Sequence, residues 1–438
     1  MTEQKSSSLH KEVTLRYATA LYMSSVLGSG ILILPGLAAQ KAGPASLIAW
    51  VGLSLVSYPL AYTFASLSSR RPESGGVYSF AREAFGQRVA TSVGWLFLLW
   101  YAAGAPAVTV VAASYLAYAV PLNRIEIYLI AALLPLGTFL INYRGIRVSG
   151  RVQMVVIAAI TALLLAAVVA SLPRINLENF SPFFPHGIIP IGVAAALIFW
   201  SYLGYENVSN VAEEFKNPDR DFHRSILLSV LIISALYVSV AFAAVGSRAY
   251  EAGGSVAPFA AMLSNALGPM GAIGTAILAV IIIFGTVNAY TTGMSRVIYA
   301  TAKEGGLPRI LSRIDNKSGV PRSSLGLLLG LSWLSLGFFY FFNVDLETAL
   351  LIPSGAAILV YVVGSACGIK LLHGKGWRRL LPWISLGVSL IMLPFVGMLL
   401  FASIAVAIAG ILYRIVRNEI SDKKKVEEID PLNLPASI

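Results

Sequence analysis

Charged residues are scarce in this chain: Asp, Glu, Lys and Arg make up 12% of its 438 residues. A soluble domain of average composition carries about 25%. The mean hydropathy of +0.76 shows that the apolar excess extends over the whole chain. This composition argues against a string of soluble domains and predicts a single all-α bundle of membrane-spanning helices.

Cysteine and histidine are also rare. The single cysteine, Cys367, cannot form an internal disulfide and is interpreted as a packing residue. The four histidines lie in or near predicted loops, and the sequence has neither a Cys/His cluster nor an H-E-x-x-H pair. We therefore expect no metal, no cofactor and no enzymatic activity within the membrane.

Twelve apolar stretches are long enough to cross a membrane as helices. The last two are short and meet around Pro394 and Gly397, so eleven spans is the competing count. The stretches run over 17–40, 44–68, 90–119, 125–142, 152–172, 188–211, 225–246, 269–295, 324–342, 347–369, 380–395 and 397–414.

The positive charges support the twelve-span topology. If the N-terminus is cytoplasmic, 28 of the 32 Lys and Arg residues fall on the cytoplasmic side, as the positive-inside rule requires. The net charge of +11 is therefore explained by the positively charged cytoplasmic loops, and no nucleic-acid partner is expected. Both termini are predicted to lie inside. The exceptions, on the outer side, are Lys41, Arg124, Arg174 and Arg248.

Two predicted spans, the first and the sixth, are interrupted by glycine. Gly28 and Gly30 interrupt the first, and Gly204 interrupts the sixth. Glycine-broken helices at matching places in two halves indicate an inverted repeat around a central site. The chain then divides into an N-terminal tail (1–16), a first repeat of five helices (17–172), a second repeat of five (188–371), two further helices (378–417) and a C-terminal tail (418–438).

An ordered set of motifs resembles the amino acid–polyamine–organocation (APC) superfamily of transporters, and most closely its bacterial amino-acid efflux branch. The resemblance implies a five-plus-five inverted repeat, alternating access and, for the loop after the second span, a short helix at the inner gate. The motifs are Gly28-Ser29-Gly30-Ile31, Pro35-Gly36, Ser74-Gly75-Gly76-Val77-Tyr78, Phe199 to Glu206, Glu214 to Asp221, and Ala302 to Pro308.

An amino acid needs N–H groups for its carboxylate and C=O groups for its ammonium, and a broken helix offers both. Gly28, Ser29 and Gly30 fit the carboxylate role, although small residues also let membrane helices pack closely. By resemblance, the carbonyls of Trp200, Ser201 and Leu203 receive the ammonium. The Trp200 ring could also cover the ligand as a cation–π partner, the alternative being a membrane-interface tryptophan.

Three residues of the third span, Trp100, Tyr101 and Ala105, face the pocket in relatives, with aromatic packing an equal alternative for Tyr101. Ala105 stands where arginine/agmatine antiporters carry Asn, which favours a substrate with an uncharged side chain. Glu206 is the one acid predicted well inside a span. A carboxylate at that depth is costly and often belongs to a proton relay, so Glu206 is the candidate coupling residue, with a protonated packing acid as the alternative.

The sequence thus predicts a secondary transporter of small neutral amino acids, working as a proton-coupled exporter or an exchanger in the cytoplasmic membrane. The competing hypothesis is a cationic amino-acid or polyamine antiporter. A channel fits two broken helices and one buried acid less well. Relatives with a proton-coupling Lys on the fifth span have Ile160 at that position here. A sodium site, which we do not favour, would draw on hydroxyls of the eighth span: Thr286, Thr291 and Thr292.

Overall fold

A computed structural model of the chain describes residues 15–70, 76–145, 150–205, 218–251, 253–315, 319–374 and 376–429. All regular secondary structure in these ranges is helical, as the composition predicts. The α-helices are α1 Leu15–Val26, α2 Ser29–Ala42, α3 Ser46–Arg70, α4 Val77–Phe85, α5 Gln87–Ala119, α6 Arg124–Tyr143, α7 Gly150–Ser171, α8 Ile189–Phe199, α9 Pro218–Gly246, α10 Pro258–Leu267, α11 Pro269–Lys303, α12 Arg322–Phe341, α13 Leu346–Leu371, α14 Leu381–Met392 and α15 Leu399–Ile429.

Both predicted helix breaks are present. The first span divides between α1 and α2 at Gly28, whose φ of −131° and ψ of −152° are extended. The sixth span is α8 followed by the 3-10 turn Trp200–Tyr202, after which Leu203 is extended. Gly204 then takes a φ of +124°, which favours glycine over residues with a Cβ. The glycines that mark the breaks in the sequence therefore mark them in the fold.

Ten helical segments in the described ranges are long and apolar enough to cross a membrane. One of them, Ser29–Arg70, contains the second half of the predicted first span and the whole second span, and the sixth is represented by the shorter apolar segment Ile189–Tyr202. These segments account for all twelve predicted stretches. The last two are separate helices joined through Gly397, with a φ of +67°, which favours twelve spans over eleven.

Two helical features depart from the sequence prediction. The helix α15 continues to Ile429, into the stretch predicted as a tail, because that stretch is rich in the good helix formers Glu and Lys. The short helices α4 and α10 lie in loops between spans. The APC resemblance implied α4. The helix α10 was not predicted, because its ten residues are too few to cross a membrane and the sequence was searched for membrane-spanning stretches.

The helix α5 is the centre of one group of helices and packs against α6, α11, α12, α13 and α15. In the most apolar part of α5, 83% of the residues are buried. In the most apolar part of α15 only 11% are buried, so α15 lies at the periphery. A second group consists of α1, α2, α3, α8 and α9, with both broken spans inside it. The site described below lies where α5 and α11 meet the broken spans.

The outer loops predicted from charge lie together. Lys41 pairs with Glu347 at 2.7 Å between Nζ and Oε1. Arg124 donates through Nη2 to the carbonyl of Tyr340 at 2.6 Å. These contacts join loops from distant parts of the chain at one end of the bundle.

The predicted cytoplasmic loops meet around Glu304. Its carboxylate accepts from the Tyr78 hydroxyl at 3.0 Å and from Gln87 Nε2 at 3.0 Å, and it pairs with Arg82. Arg414 donates to the carbonyl of Glu304. The short helix α4, the start of α5, the end of α11 and the helix α15 are thereby tied together at one point, which we call the Glu304 cluster.

Candidate functional site

A cavity of about 340 Å³ lies between the two broken spans and the helices α5 and α11. No Asp, Glu, Lys, Arg or His belongs to its lining in the described part of the chain. The lining is aromatic and aliphatic, with two hydroxyl side chains from Ser29 and Thr286 besides the tyrosines. The full set is Ser29, Trp100, Tyr101, Gly104, Ala105, Val108, Trp200, Thr286, Val287, Tyr290 and Met294.

Ser29 is the first residue of α2 and is 3% exposed, so the start of this half-helix borders the cavity. The first N–H groups of a helix have no acceptor within it and carry partial positive charge. Gly28, just before it, packs on α11: a Cβ there would lie 3.3 Å from Cγ2 of Thr286. One end of the cavity thus suits an anionic group.

Gly30 holds the two breaks in contact. A Cβ at this position would lie 2.7 Å from Oγ of Ser201 and 2.9 Å from Cδ1 of Trp200. Real Cβ atoms essentially never approach that closely, so only glycine fits here. Gly30 therefore lies behind the cavity wall, where α2 packs against the sixth span.

Trp200 forms a wall between the broken sixth span and α5. Its ring meets that of Trp100 edge-on, with centroids 6.1 Å apart and planes at 71°. It also covers Gly104, where a Cβ would lie 2.5 Å from Cη2 of Trp200. Trp200 therefore lines the cavity, between the sixth span and α5.

Tyr101 of α5 also lines the cavity and is 4% exposed. Its hydroxyl is 2.6 Å from Oγ1 of Thr291, which itself donates to the carbonyl of Val287. The phenol is thus fixed to α11 and presents its ring to the cavity.

The buried Tyr237 of α9 contacts both breaks. Its hydroxyl donates to the carbonyl of Ser201 at 3.0 Å and lies 3.3 Å from the carbonyl of Val26, the last residue of α1. Its ring packs edge-on against Trp50 and Tyr202, with centroids 5.5 and 5.3 Å away. Carbonyls left open by the two breaks are therefore brought to one point.

The remaining groups of the sixth break are partly satisfied. The carbonyl of Trp200 accepts from the N–H of Leu203 at 3.3 Å. The N–H of Gly204 donates to the Tyr361 hydroxyl at 3.3 Å. By contrast, the buried hydroxyl of Ser201 has no hydrogen-bond partner within the described ranges.

Five of the nine predicted binding residues line the cavity: Ser29, Trp100, Tyr101, Ala105 and Trp200. Gly28, Gly30, Ser201 and Leu203 do not; they form the breaks behind it. Glu206, the predicted coupling residue, lies outside the described residues. The sequence analysis did not predict six of the residues that line the cavity. Five of them have no local sequence feature that marks a binding residue, and Thr286 was considered only as a sodium ligand. The six are Gly104, Val108, Thr286, Val287, Tyr290 and Met294.

The three threonines considered as sodium ligands have separate contacts. Thr286 lines the cavity and donates to the carbonyl of Ile282 at 3.0 Å. Thr291 bonds to Tyr101, and Thr292 lies 2.6 Å from Oδ1 of Asn142 on α6. Each hydroxyl is therefore engaged with a different protein group.

Comparison with known proteins identifies the family. The model of the amino acid permease family matches residues 14–423. An uncharacterized amino acid permease, YecA of Bacillus subtilis, is 33% identical over 96% of this chain and 99% of its own. The L-methionine/branched-chain amino acid exporter YjeH of Escherichia coli is 30% identical over 89% and 93%. The branched-chain amino acid permease BcaP of B. subtilis is 32% identical over 72% of each chain.

The family model and the match to YecA cover nearly the whole chain, and the family model includes both broken spans and every residue that lines the cavity. They agree with the APC resemblance of the sequence motifs. The chain is therefore a multi-pass membrane protein of the amino acid permease family, within the APC superfamily of transporters, and not an enzyme.

Proposed function

We propose that the cavity binds one small to medium neutral amino acid and that the protein carries it across the membrane by alternating access. The observation that carries this proposal is the lining, which is apolar and aromatic and has no ionisable acid or base among its described residues other than tyrosines. Burying a charged side chain without a partner is very costly.

The backbone ends supply the two charged groups that all α-amino acids share. The substrate carboxylate would bind at the start of α2, where Ser29 offers N–H groups and a hydroxyl. The ammonium would bind carbonyls at the breaks near Val26 and Ser201. Tyr237 uses one lone pair of the Ser201 carbonyl, and a carbonyl oxygen has two.

Two relatives support an aliphatic substrate through their printed names, an L-methionine/branched-chain exporter and a branched-chain permease. Similarity to the exporter also favours outward transport by this protein, which would work as a proton-coupled antiporter or an exchanger. The charge pattern supports a cytoplasmic membrane location with both termini inside.

The test is a thermal-shift screen of the purified full-length protein, because a ligand that binds only the folded state stabilises it by mass action. Methionine, leucine, isoleucine and valine should stabilise the protein, whereas their methyl esters and N-acetyl derivatives should not. The variant Ser29→Ala should bind more weakly by roughly 1–3 kcal/mol, the cost of a lost hydrogen bond to a charged group. Exchange of labelled substrate should be faster with unlabelled substrate on the opposite side, as in a carrier.

Stabilisation by arginine or putrescine, and none by neutral amino acids, would overturn the neutral class in favour of the cationic or polyamine alternative. Flux that shows no acceleration by substrate on the opposite side would point to a channel.

A further inference from the structure

A second cavity, of about 430 Å³, lies at the end of the bundle that holds the Glu304 cluster, where α13 leads into α14. We call it the inner-end cavity. Tyr62 of α3 forms one side and Pro382 of α14 another, while the connection between α13 and α14 contributes His373, Gly374, Arg378 and Arg379. It shares no residue with the amino-acid cavity and is independent of the function proposed for it.

The inner-end cavity carries positive charge without a counter-charge. Arg378 and Arg379 are exposed, and no Asp or Glu lines the cavity in the described part of the chain. Neither guanidinium has an ion pair or a hydrogen bond within that part. By contrast, Arg82, Arg414 and Arg417 at the same end bind the Glu304 segment. The charges at this cavity are thus available to a ligand.

The backbone gives the cavity a defined shape. Arg378 and Arg379 belong to the 3-10 turn Gly376–Leu380, which runs directly into α14. A Cβ on Gly374 would lie 3.2 Å from the backbone N of Arg379 and 3.3 Å from the carbonyl C of Arg378. The chain therefore folds back tightly on the two arginines, and both guanidiniums start from one short, supported segment.

The surface beside the cavity is apolar. Trp377 and Leu380 are 61% and 59% exposed, and Trp383 on the first turn of α14 is 57% exposed. Trp377 also stacks on Tyr58 of α3 at 6.2 Å. Exposed tryptophans next to arginines are typical of the membrane–water boundary. A ligand here would have its anionic group at the arginines and its apolar part along α14.

We propose that the inner-end cavity binds the phosphate headgroup of an anionic phospholipid. Arg378 and Arg379 would bind the phosphate oxygens, because a guanidinium fork matches phosphate geometry. The acyl chains would lie along the exposed face of α14, and basic pockets between helices on the cytoplasmic side suit such headgroups. A free phosphate ion has the same anionic chemistry but would gain nothing from the apolar face.

The test is native mass spectrometry of the full-length protein with phosphatidylglycerol or phosphatidylcholine. Arg378→Gln/Arg379→Gln is compared with Arg309→Gln/Arg313→Gln, which removes the same charge from exposed arginines that line neither cavity. We expect wild type and control to retain phosphatidylglycerol in preference to phosphatidylcholine. The Arg378/Arg379 variant should bind it about tenfold or more weakly, because one charged hydrogen bond is worth roughly that factor.

A second pair, Arg378→Lys/Arg379→Lys, keeps the charge and guards against misfolding; it should bind phosphatidylglycerol more tightly than the Gln pair and less tightly than wild type. A thermal shift with inorganic phosphate separates the two sources of the anion. Stabilisation by phosphate without any preference for phosphatidylglycerol would overturn the lipid assignment. Equal lipid binding by the Gln pair and the Arg309/Arg313 control would overturn the site itself.

Discussion

The hydroxyl of Tyr237 donates to the carbonyl oxygen of Ser201 at 3.0 Å and lies 3.3 Å from that of Val26. These two carbonyls belong to different halves of the chain, one at the end of α1 and the other in the break of the sixth span. A single side chain from α9 therefore sets the distance between the two breaks that border the proposed substrate site.

Tyr237→Phe removes this donor and leaves the two buried carbonyls without it. We expect a loss of about 1–3 kcal/mol in stability, the cost of an unsatisfied buried polar group. Substrate binding should also weaken, because the carbonyls proposed for the ammonium lose their fixed position. Thermal unfolding with and without substrate measures both effects. Tyr299→Phe is the matched control, since the Tyr299 hydroxyl has no hydrogen-bond partner within the described residues; an equal effect of the two changes would contradict the assigned role.

Gly104→Ala adds a Cβ that would lie only 2.5 Å from Cη2 of Trp200. The helix α5 cannot give way easily at a buried position, so the Trp200 ring must move into the cavity. Overpacking of this kind costs about 1–3 kcal/mol, and we expect substrate binding to be lost or strongly weakened. Tryptophan fluorescence and ligand-induced thermal shifts report both changes.

The control for this variant is Gly52→Ala on α3, where a Cβ would meet nothing within 4 Å. Both substitutions gain the same helix propensity, on the order of 1 kcal/mol. The difference between them therefore isolates the clash with Trp200. Normal binding by Gly104→Ala would show that Trp200 does not shape the site.

Glu304→Gln removes the charge that holds Arg82 in the Glu304 cluster, along with its strong acceptor for Tyr78 and Gln87. The ion pair is partly exposed, so we expect only about 1 kcal/mol of lost stability. Hydrogen exchange should become faster locally, in α4 and the segment after α11, because fewer contacts hold them. Glu251→Gln removes a half-exposed ion-pair acid at another position and should leave that exchange unchanged. Uniform acceleration across the whole protein would argue against a local role.

Glu206→Gln tests the proposed proton coupling, which rests on the sequence. An amide resembles the protonated carboxyl in shape but cannot titrate. We therefore expect the variant to keep some substrate exchange in proteoliposomes and to lose its dependence on pH between about 5 and 8, the range of a carboxyl in low-dielectric surroundings. A variant with the full wild-type pH profile would assign the titrating group elsewhere, as would wild-type transport that does not change with pH.

Local composition was enough to predict the helix breaks and Ser29 beside the first of them, whereas the resemblance to APC transporters supplied Trp100, Tyr101, Ala105 and Trp200. Glycines mark the breaks because they weaken helix interiors, and Ser29 and Trp200 lie next to them in the chain. The motifs did not distinguish residues that face the cavity from those behind it. Gly30 and Ser201 pack against each other because the two broken spans touch there.

The other cavity residues depend on contacts between distant segments. Tyr290 and Met294 face the site because α11 crosses α5 at that height. In the sequence they are two apolar residues in a helix of 35 residues. Tyr237 was equally hidden, since a tyrosine in an apolar run does not reveal which carbonyls its hydroxyl will meet.

At the Glu304 cluster, Arg417 donates to the backbone carbonyls of Gly305 and Leu307 at 2.8 and 2.7 Å, and Arg414 to that of Glu304. Every residue type carries a backbone carbonyl. A change of side chain in this loop therefore leaves the acceptors in place. The arginines have no such freedom, because no other side chain offers the same planar fork of donors. The hydrogen bonds at this junction therefore constrain the two arginines, whereas the loop is constrained by its own packing, with Leu307 buried and Gly305 at a φ of +86°.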